Sequence, residues 1–372
     1  MMTVPVNEPV IPAEAKRYVL NALETGWISS AGKYIQEFEE AFARYLGVKH
    51  AITATSGTTA LHLSLDALGI GPGDEVIVPD FTMIASAYAV LYTGARPVLV
   101  DSDPDIYTID TTQIAANITP HTKAIMPVHI YGHSADMDPI FSIAQERGIA
   151  VVEDAAEAHG ARYKGRLCGS MGTVNAFSFY GNKIITTGEG GMAVTNDAKL
   201  DARMRFLKDH AMDPKRRYYH PEAGFNCRMT NIQAALGCAQ LERIEELQAK
   251  KRTILEWYHE ALQGITSVSL NPRMPWAEPV NWIVCAILDD GLAAKRSEIL
   301  AELKVRGVDT RPFFLPVQDM PPYSECRIVG AVGDMAPATR YLSQAGFNLP
   351  SSPTLSEQHI RGIVEIMFDS IR

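Results

Sequence analysis

The chain has 372 residues, 47% of them apolar and 21% charged, with a net charge of −9. That balance is ordinary for a globular protein with room for two domains, and its acidic sign argues against a general nucleic-acid binder, which needs a basic face. Five scattered cysteines without CxxC spacing, no basic-then-apolar leader and no run near the roughly 18 apolar residues of a membrane span point to reduced thiols and a cytoplasmic protein with neither nucleic acid nor membrane as partner.

In chain order, apolar spacing predicts a helix over 13–24, then the turn Gly26-Trp27-Ile28-Ser29-Ser30-Ala31-Gly32 and a second helix over 34–46. Strand and helix then alternate: strand 51–54, helix 58–68, strand 75–78 stopped by Pro79, helix 83–92, strands 97–100 and 123–126, helix 138–147. The next apolar run, Ile149-Ala150-Val151-Val152, ends on the acidic pair Glu153-Asp154. Such alternation implies a mostly parallel sheet covered on both faces, whose ligands gather at the carboxyl ends of the strands. A short aromatic strand, Ser178-Phe179-Tyr180, leads to Gly181-Asn182-Lys183 and the glycine-rich turn Gly188-Glu189-Gly190-Gly191. From Thr230 to about Gln263 a proline-free stretch keeps helical spacing and reads as an arm joining a large domain to a smaller one. A strand near 282–286, a helix near 297–306 and a last helix over 356–371 give the remainder an α+β pattern.

Lys183 is the first candidate for chemistry. An amine between an aromatic strand and a glycine turn, in a chain with an acid at the end of a buried strand, suits pyridoxal phosphate. The lysine forms a Schiff base with the aldehyde, and Asp154 pairs with the pyridinium nitrogen. A surface lysine after a turn is the plain alternative, and the apolar surroundings weigh against it. A carboxylate ending a buried strand is costly without a cation; the alternative is that Asp154 caps a helix over 155–158. On that helix Glu157 stands one turn away, within reach of the ring's phenolic oxygen. Ser56-Gly57-Thr58 joins a strand to an amphipathic helix, where glycine lets a phosphate approach free N–H groups, although an ordinary helix cap uses the same residues. Ser178 offers a further hydroxyl. Asn226 and Arg228 are polar groups in an apolar turn before the long helix. His129, His133 and His159 stand near strand ends without paired Cys/His spacing, and no metal is expected.

These segments, with Gly73-Asp74-Glu75-Val76-Ile77-Val78-Pro79, Pro127-Val128-His129, Glu153-Asp154-Ala155-Ala156-Glu157-Ala158 and Arg228-Met229-Thr230-Asn231-Ile232-Gln233, run nearly end to end. On them the chain resembles the DegT/DnrJ/EryC1/StrS sugar aminotransferases. The resemblance implies the type I aminotransferase fold, with a large α/β domain over 1–245 built on a mostly parallel seven-stranded sheet, and a small C-terminal α+β domain over 246–372. It implies pyridoxal 5'-phosphate bound to Lys183, Asp154 at the pyridine nitrogen, Glu157 near the ring hydroxyl and Met83 against the ring face. Ser56, Gly57, Thr58 and Ser178 would hold the phosphate. Asn226 would reach the phosphate of a neighbouring subunit, so the active sites would be shared within a homodimer.

The same resemblance implies that L-glutamate donates an amino group to a nucleotide-linked 4-keto-6-deoxy sugar, foremost GDP-4-keto-6-deoxymannose. Arg216, Arg217 or Arg311 would meet the diphosphate or the donor's carboxylate. A UDP- or dTDP-linked 3- or 4-keto sugar, and a cofactor-binding regulator without turnover, are the alternatives. Related 3-dehydratases carry histidine where this chain has Lys183, which disfavours dehydration. Cys227 stands where relatives commonly have tyrosine, and Leu315 and Gln318 lie where some carry histidines. These departures bear on the sugar and nucleotide rather than on the cofactor.

Overall fold

The computed structural model describes residues 4–329 and 336–371; residues 1–3, 330–335 and 372, which the two expected domain ranges include, lie outside the described residues. Helices α1 (Ala13–Glu24) and α2 (Lys33–Leu46) form where the apolar spacing puts them. In α2 the face carrying Tyr34, Phe38 and Phe42 is buried. Then come β1 (His50–Ala54), α3 (Gly57–Ala67), β2 (Glu75–Pro79), α4 (Ala85–Tyr92), β3 (Arg96–Val100), β4 (Thr122–Ile125), α5 (Met137–Arg147) and β5 (Ala150–Asp154). A small hairpin, β6 (Arg162–Tyr163) and β7 (Arg166–Leu167), precedes β8 (Val174–Ser178), β9 (Gly191–Thr195) and α6 (Ala198–Lys208). The second half holds α7 (Asn231–Leu241), α8 (Ile244–Ala261), β10 (Val268–Leu270), β11 (Ala277–Glu278), β12 (Val284–Leu288), α9 (Asp290–Ala293) and α10 (Arg296–Val305). It ends with β13 (Arg311–Pro312), β14 (Ile328–Val329), α11 (Pro337–Ala345), β15 (Gly346–Leu349) and α12 (Glu357–Ile371).

The large sheet runs β1-β9-β8-β5-β4-β2-β3-β14. Its neighbours pair in parallel from β8 to β14, and β9 is antiparallel to both β1 and β8. The strands β8 and β9 are buried at every position, and β1, β2, β3 and β5 at all but their first residue. A sheet covered on both faces needs apolar side chains on both, which is why the sequence shows apolar runs rather than alternation. Among the described residues the sheet has eight strands where seven were expected. The extra one, β14, comes from the far end of the chain and is two residues long, too short to leave a periodic signal.

Two other expectations change. The stretch 230–263 is two helices, not one: the chain leaves helical geometry at Arg243 (φ −113°, ψ 11°). No glycine or proline marks the break, so spacing alone could not find it. The helix expected over 155–158 is absent, and turns follow Asp154 instead.

A second sheet, β10-β12-β15-β13, is antiparallel and packs on α8, α10 and α12 around Ile254, Tyr258, Leu303, Phe347 and Ile363. The N-terminal segment crosses to this part of the molecule. Val4 bridges to Val308, and Ser351 N–H donates to the Val6 carbonyl at 2.7 Å. Where this segment meets α8 lies Lys251, 1% exposed on a buried face that is apolar apart from it and Gln248. Its Nζ donates to Asn7 Oδ1 and to the Ser351 carbonyl, each at 2.7 Å.

Burial with only neutral oxygen partners pulls the Lys251 ammonium down from 10.5 to about 7. Below pH 7 the folded and unfolded chains both carry the charge, and the fold bears the whole desolvation cost. Between about 7 and 10.5 the folded chain gives up the proton first, so stability rises with pH across that window. We expect this contribution to approach about 1 kcal/mol per pH unit, and Lys251→Met to abolish it. Denaturation of both proteins at pH 7 and pH 9 checks the difference; an identical pH response would show that the amine keeps an ordinary pKa.

Candidate active site

A cavity of about 400 Å³ opens just past the carboxyl ends of β1, β2, β5 and β8, within the roughly 300–1,000 Å³ of small-molecule sites. Every cofactor residue expected from the sequence lines it except Asn226: Ser56, Gly57, Thr58, Met83, Asp154, Glu157, Ser178 and Lys183. A hollow of about 470 Å³ lies elsewhere, but its Glu39, Arg205 and Lys208 already pair with one another.

One corner is built from the start of α3. Ser56 caps the helix: its Oγ accepts the Thr59 N–H at 3.1 Å, and the Thr59 hydroxyl accepts the Ser56 N–H at 2.9 Å. The ordinary-cap reading is therefore correct. The cap occupies the third N–H of the helix and leaves the first-turn groups of Gly57 and Thr58 facing the cavity edge, where a helix favours an anion. Two glycines allow this corner to close. A Cβ on Gly57 would stand 2.7 Å from Ser178 Cβ, and one on Gly191 would overlap the Ser56 carbonyl. The Ser56-Gly57-Thr58 motif and the glycine-rich turn ending at Gly191 thus serve one corner.

The lysine segment follows strand alternation. Ser178 and Tyr180 line the cavity, while Phe179 points into the core against Phe38 and Phe42, with ring centroids 5.0 and 5.4 Å apart. Such pairs add roughly 0.5–1.5 kcal/mol each beyond their burial, which anchors the segment from below. The Lys183 N–H then turns back to the Tyr180 carbonyl at 2.9 Å. Lys183 Nζ lies 3.1 Å from Glu157 Oε1 and 3.7 Å from the centroid of the Trp282 indole. An ammonium over a buried indole face is held electrostatically on that side.

Both acids are buried. Asp154 Oδ2 accepts from Ser86 Oγ at 2.7 Å, and Oδ1 accepts the Ala156 N–H at 3.1 Å. This Asx turn replaces the expected helix after β5, because the side chain takes the N–H that a helix would use. Glu157 reaches the cavity from that turn, and its Oε2 accepts the Tyr131 N–H at 2.7 Å. Desolvation raises the pKa of both carboxyls above the ordinary range, while the Lys183 charge pulls each back. A cation arriving beside Asp154 would relieve its desolvation, and among the described residues its side chain has no ion-pair partner.

The sequence did not single out Ser86, the Tyr131 N–H, Trp282 or Phe314. Ser86 stands four residues after Thr82, whose hydroxyl lies 2.9 Å from its own. Trp282, Arg311 and Phe314 enter the cavity from the second half of the chain. Arg216 and Arg217 do not line it. Asn226 lies outside it, with its Oδ1 3.2 Å from Arg228 Nη2. Gln318 turns away from the cavity: its N–H and Nε2 both donate to the Asp80 carboxylate at 2.8 Å, while Leu315 is exposed. His129 and His133 stand four residues apart around a short 3-10 turn in which Tyr131 is left-handed. The His129 ring joins the Ala135 N–H to Glu153, and the His133 ring bonds the Ser134 carbonyl, so both brace loops.

A chamber at the strand ends of a mostly parallel sheet, with one lysine reaching into it beside a buried acid, marks a class of enzymes: the pyridoxal phosphate-dependent aminotransferases. The chain belongs to the DegT/DnrJ/EryC1/StrS aminotransferase family, whose sequence profile matches residues 9–368. It is 49% identical over 360 residues to a GDP-perosamine synthase of Caulobacter vibrioides, covering 96% of each chain. A GDP-perosamine synthase of Escherichia coli O157:H7 is 43% identical over 98% of each chain. Among solved structures, DesI in the presence of its TDP-sugar product matches with a TM-score of 0.91 at 30% identity, covering all of this chain and 94% of that one. Among the described residues no helix is long and apolar enough to cross a membrane.

Proposed function

We propose that this enzyme transfers the amino group of L-glutamate to C4 of GDP-4-keto-6-deoxymannose, giving GDP-perosamine. The observation that carries the substrate is the end-to-end similarity to the Caulobacter and Escherichia GDP-perosamine synthases. The residues present fit the coenzyme, since one cavity offers an amine, a desolvated carboxylate and a helix N-terminus.

Bound pyridoxal phosphate supplies an aldehyde that carries the amino group and a ring that accepts the electrons of a broken C–H bond. In our assignment Gly57 and Thr58 N–H groups and the Ser56 and Ser178 hydroxyls hold its phosphate. Asp154, oriented by Ser86, keeps a proton on the ring nitrogen. Glu157 stands at the ring hydroxyl, and the Met83 thioether packs on the ring face. Lys183 Nζ takes the proton from Cα of L-glutamate and, in the second half of the cycle, delivers one to C4 of the sugar. Trp282 shields that amine from water on one side. Arg311 offers a planar guanidinium to a carboxylate or diphosphate.

In the same reading residues 1–245 form the coenzyme domain and 246–372 the small domain that adds Trp282, Arg311 and Phe314. The working unit would be a homodimer with shared sites: Leu20, Leu23, Trp27 and Ile28 are exposed apolar side chains, and the exposed Asn226 would serve a neighbouring subunit. Free cysteines throughout agree with a reducing cytoplasmic setting.

The test is a panel of GDP-, UDP- and dTDP-linked keto sugars with L-glutamate, read by product mass. We expect the GDP-linked 4-ketone to react at least about tenfold faster than the others, the scale of one well-placed contact. Turnover of a UDP- or dTDP-linked ketone alone would overturn the substrate. Failure to release 2-oxoglutarate from L-glutamate would overturn the reaction itself.

A further inference from the structure

A run of hydrogen bonds ties Lys251 on α8 to the backbone that carries Lys183. The Asn182 carbonyl, next to Lys183 in the chain, accepts from Asn7 Nδ2 and, at 2.7 Å, from Trp282 Nε1. Asn7 Oδ1 in turn accepts from Lys251 Nζ. We propose that Lys251 and Asn7 are positioning residues: together they lock the peptide before Lys183, and with it the amine's place over Trp282 and beside Glu157. The proposal rests on the reading of Lys183 as the coenzyme's anchor.

Three physical points carry it. Lys251 Nζ donates to Asn7 Oδ1, so the Asn7 amide turns its oxygen toward Lys251 and leaves its NH₂ aimed at the Asn182 carbonyl. Lys251 therefore selects one of the two orientations an amide can take. Next, a carbonyl oxygen has two lone pairs, and here both meet donors from opposite ends of the chain, residues 7 and 282. That saturates the carbonyl and fixes the plane of the peptide linking Asn182 to Lys183. Finally, a buried amine without a carboxylate is an expensive way to fill a helix face. An apolar side chain of that volume would cost less in stability. The cost makes sense if orientation, not stability, is what Lys251 provides.

The bridge also explains why the N-terminal segment crosses the molecule. Asn7 is 9% exposed, held between Ser351 N–H on the Val6 carbonyl and Glu8 N–H on Ser352 Oγ at 2.9 Å. The segment is thereby part of the active-site frame, although none of its described residues lines the cavity.

Asn7→Asp separates the two links. Its carboxylate still accepts from Lys251, as an ion pair, but has no hydrogen to give the Asn182 carbonyl. Lys251→Met removes the orienting donor and leaves the amide free to flip. The readout is amide hydrogen exchange of the coenzyme-free proteins over residues 180–183, with α5 as internal reference, alongside kcat and KM of the wild type and both variants. We expect exchange over 180–183 to quicken at least about tenfold with α5 unchanged. We expect kcat to fall about tenfold while KM for the keto sugar stays within about threefold, the pattern of a misplaced amine rather than a lost contact. Unchanged exchange over 180–183 in the folded variants would overturn the proposal, as would equal acceleration in α5, which marks general loosening. Should Asn7→Asp not fold, Lys251→Met alone decides. Borohydride attachment of coenzyme in the wild type tests the anchor reading separately, because exchange is read without coenzyme.

Discussion

Lys183→Ala is expected to remove turnover by at least about 10³-fold, within the range that a positioned acid–base group alone contributes. Among the described residues the amine is the only lysine side chain lining the cavity. Its neighbours cannot substitute for it: Glu157 is buried with a raised pKa, and Tyr180 is half exposed at the rim. The variant should still fold, because Phe179 and the hydrogen bonds around it hold the segment without the side chain. Loss of the cation leaves Glu157 with the Tyr131 N–H alone, so it takes up a proton, at a cost of about 1–3 kcal/mol. Coenzyme should still enter through the phosphate corner but remain uncoupled. Borohydride reduction followed by peptide mass analysis separates the outcomes. The wild type should carry the coenzyme on the peptide containing Lys183, and the variant should carry none. Attachment at another lysine, or retained turnover, would show that the chemistry is elsewhere.

The parts of this site that could be read in the sequence are those in which neighbours along the chain remain neighbours in space. Ser56-Gly57-Thr58 is such a case, since a strand, a cap and a helix start fix one another locally. The aromatic strand before Lys183 is another: alternation sends Ser178 and Tyr180 one way and Phe179 the other. Asp154 was visible because an acid at the end of an apolar strand is costly enough to need a reason. Glu157 was placed in the right region on a wrong picture, a helix that the Asx turn of Asp154 prevents. What escaped reading is what arrives from a distance. Trp282 meets Lys183 only once the second half of the chain has folded back, and Ser86 meets Asp154 across 68 residues. Lys251 looks in sequence like one more polar residue of an amphipathic helix. Its burial follows from the N-terminal segment lying over it, which no periodicity records.

Asp154→Asn separates charge from shape. The amide can keep both local bonds, with oxygen toward the Ala156 N–H and nitrogen toward Ser86 Oγ, since a hydroxyl accepts as readily as it donates. What is lost is the negative charge facing the cavity, and with it the group that in our proposal would keep a proton on the coenzyme nitrogen. We expect kcat to fall on the order of 10²–10³-fold, the scale of removing one preorganised electrostatic contact. Stability of the coenzyme-free protein should move the other way. Burial raises the Asp154 pKa, so in the folded chain the carboxyl holds its proton to a higher pH than in the unfolded chain. The wild type therefore loses stability as pH rises from the ordinary carboxyl value of 3.8 through the raised one, and the asparagine variant is free of that loss. At neutral pH the coenzyme-free variant should be at least as stable as the wild type, and coenzyme should stabilise it less. Thermal denaturation with and without coenzyme, together with single-turnover release of 2-oxoglutarate from L-glutamate, measures both halves. A variant that is less stable and fully active would make Asp154 a brace of the strand end, whereas one that is as stable and nearly inactive makes it the counter-charge that the cavity was folded to hold.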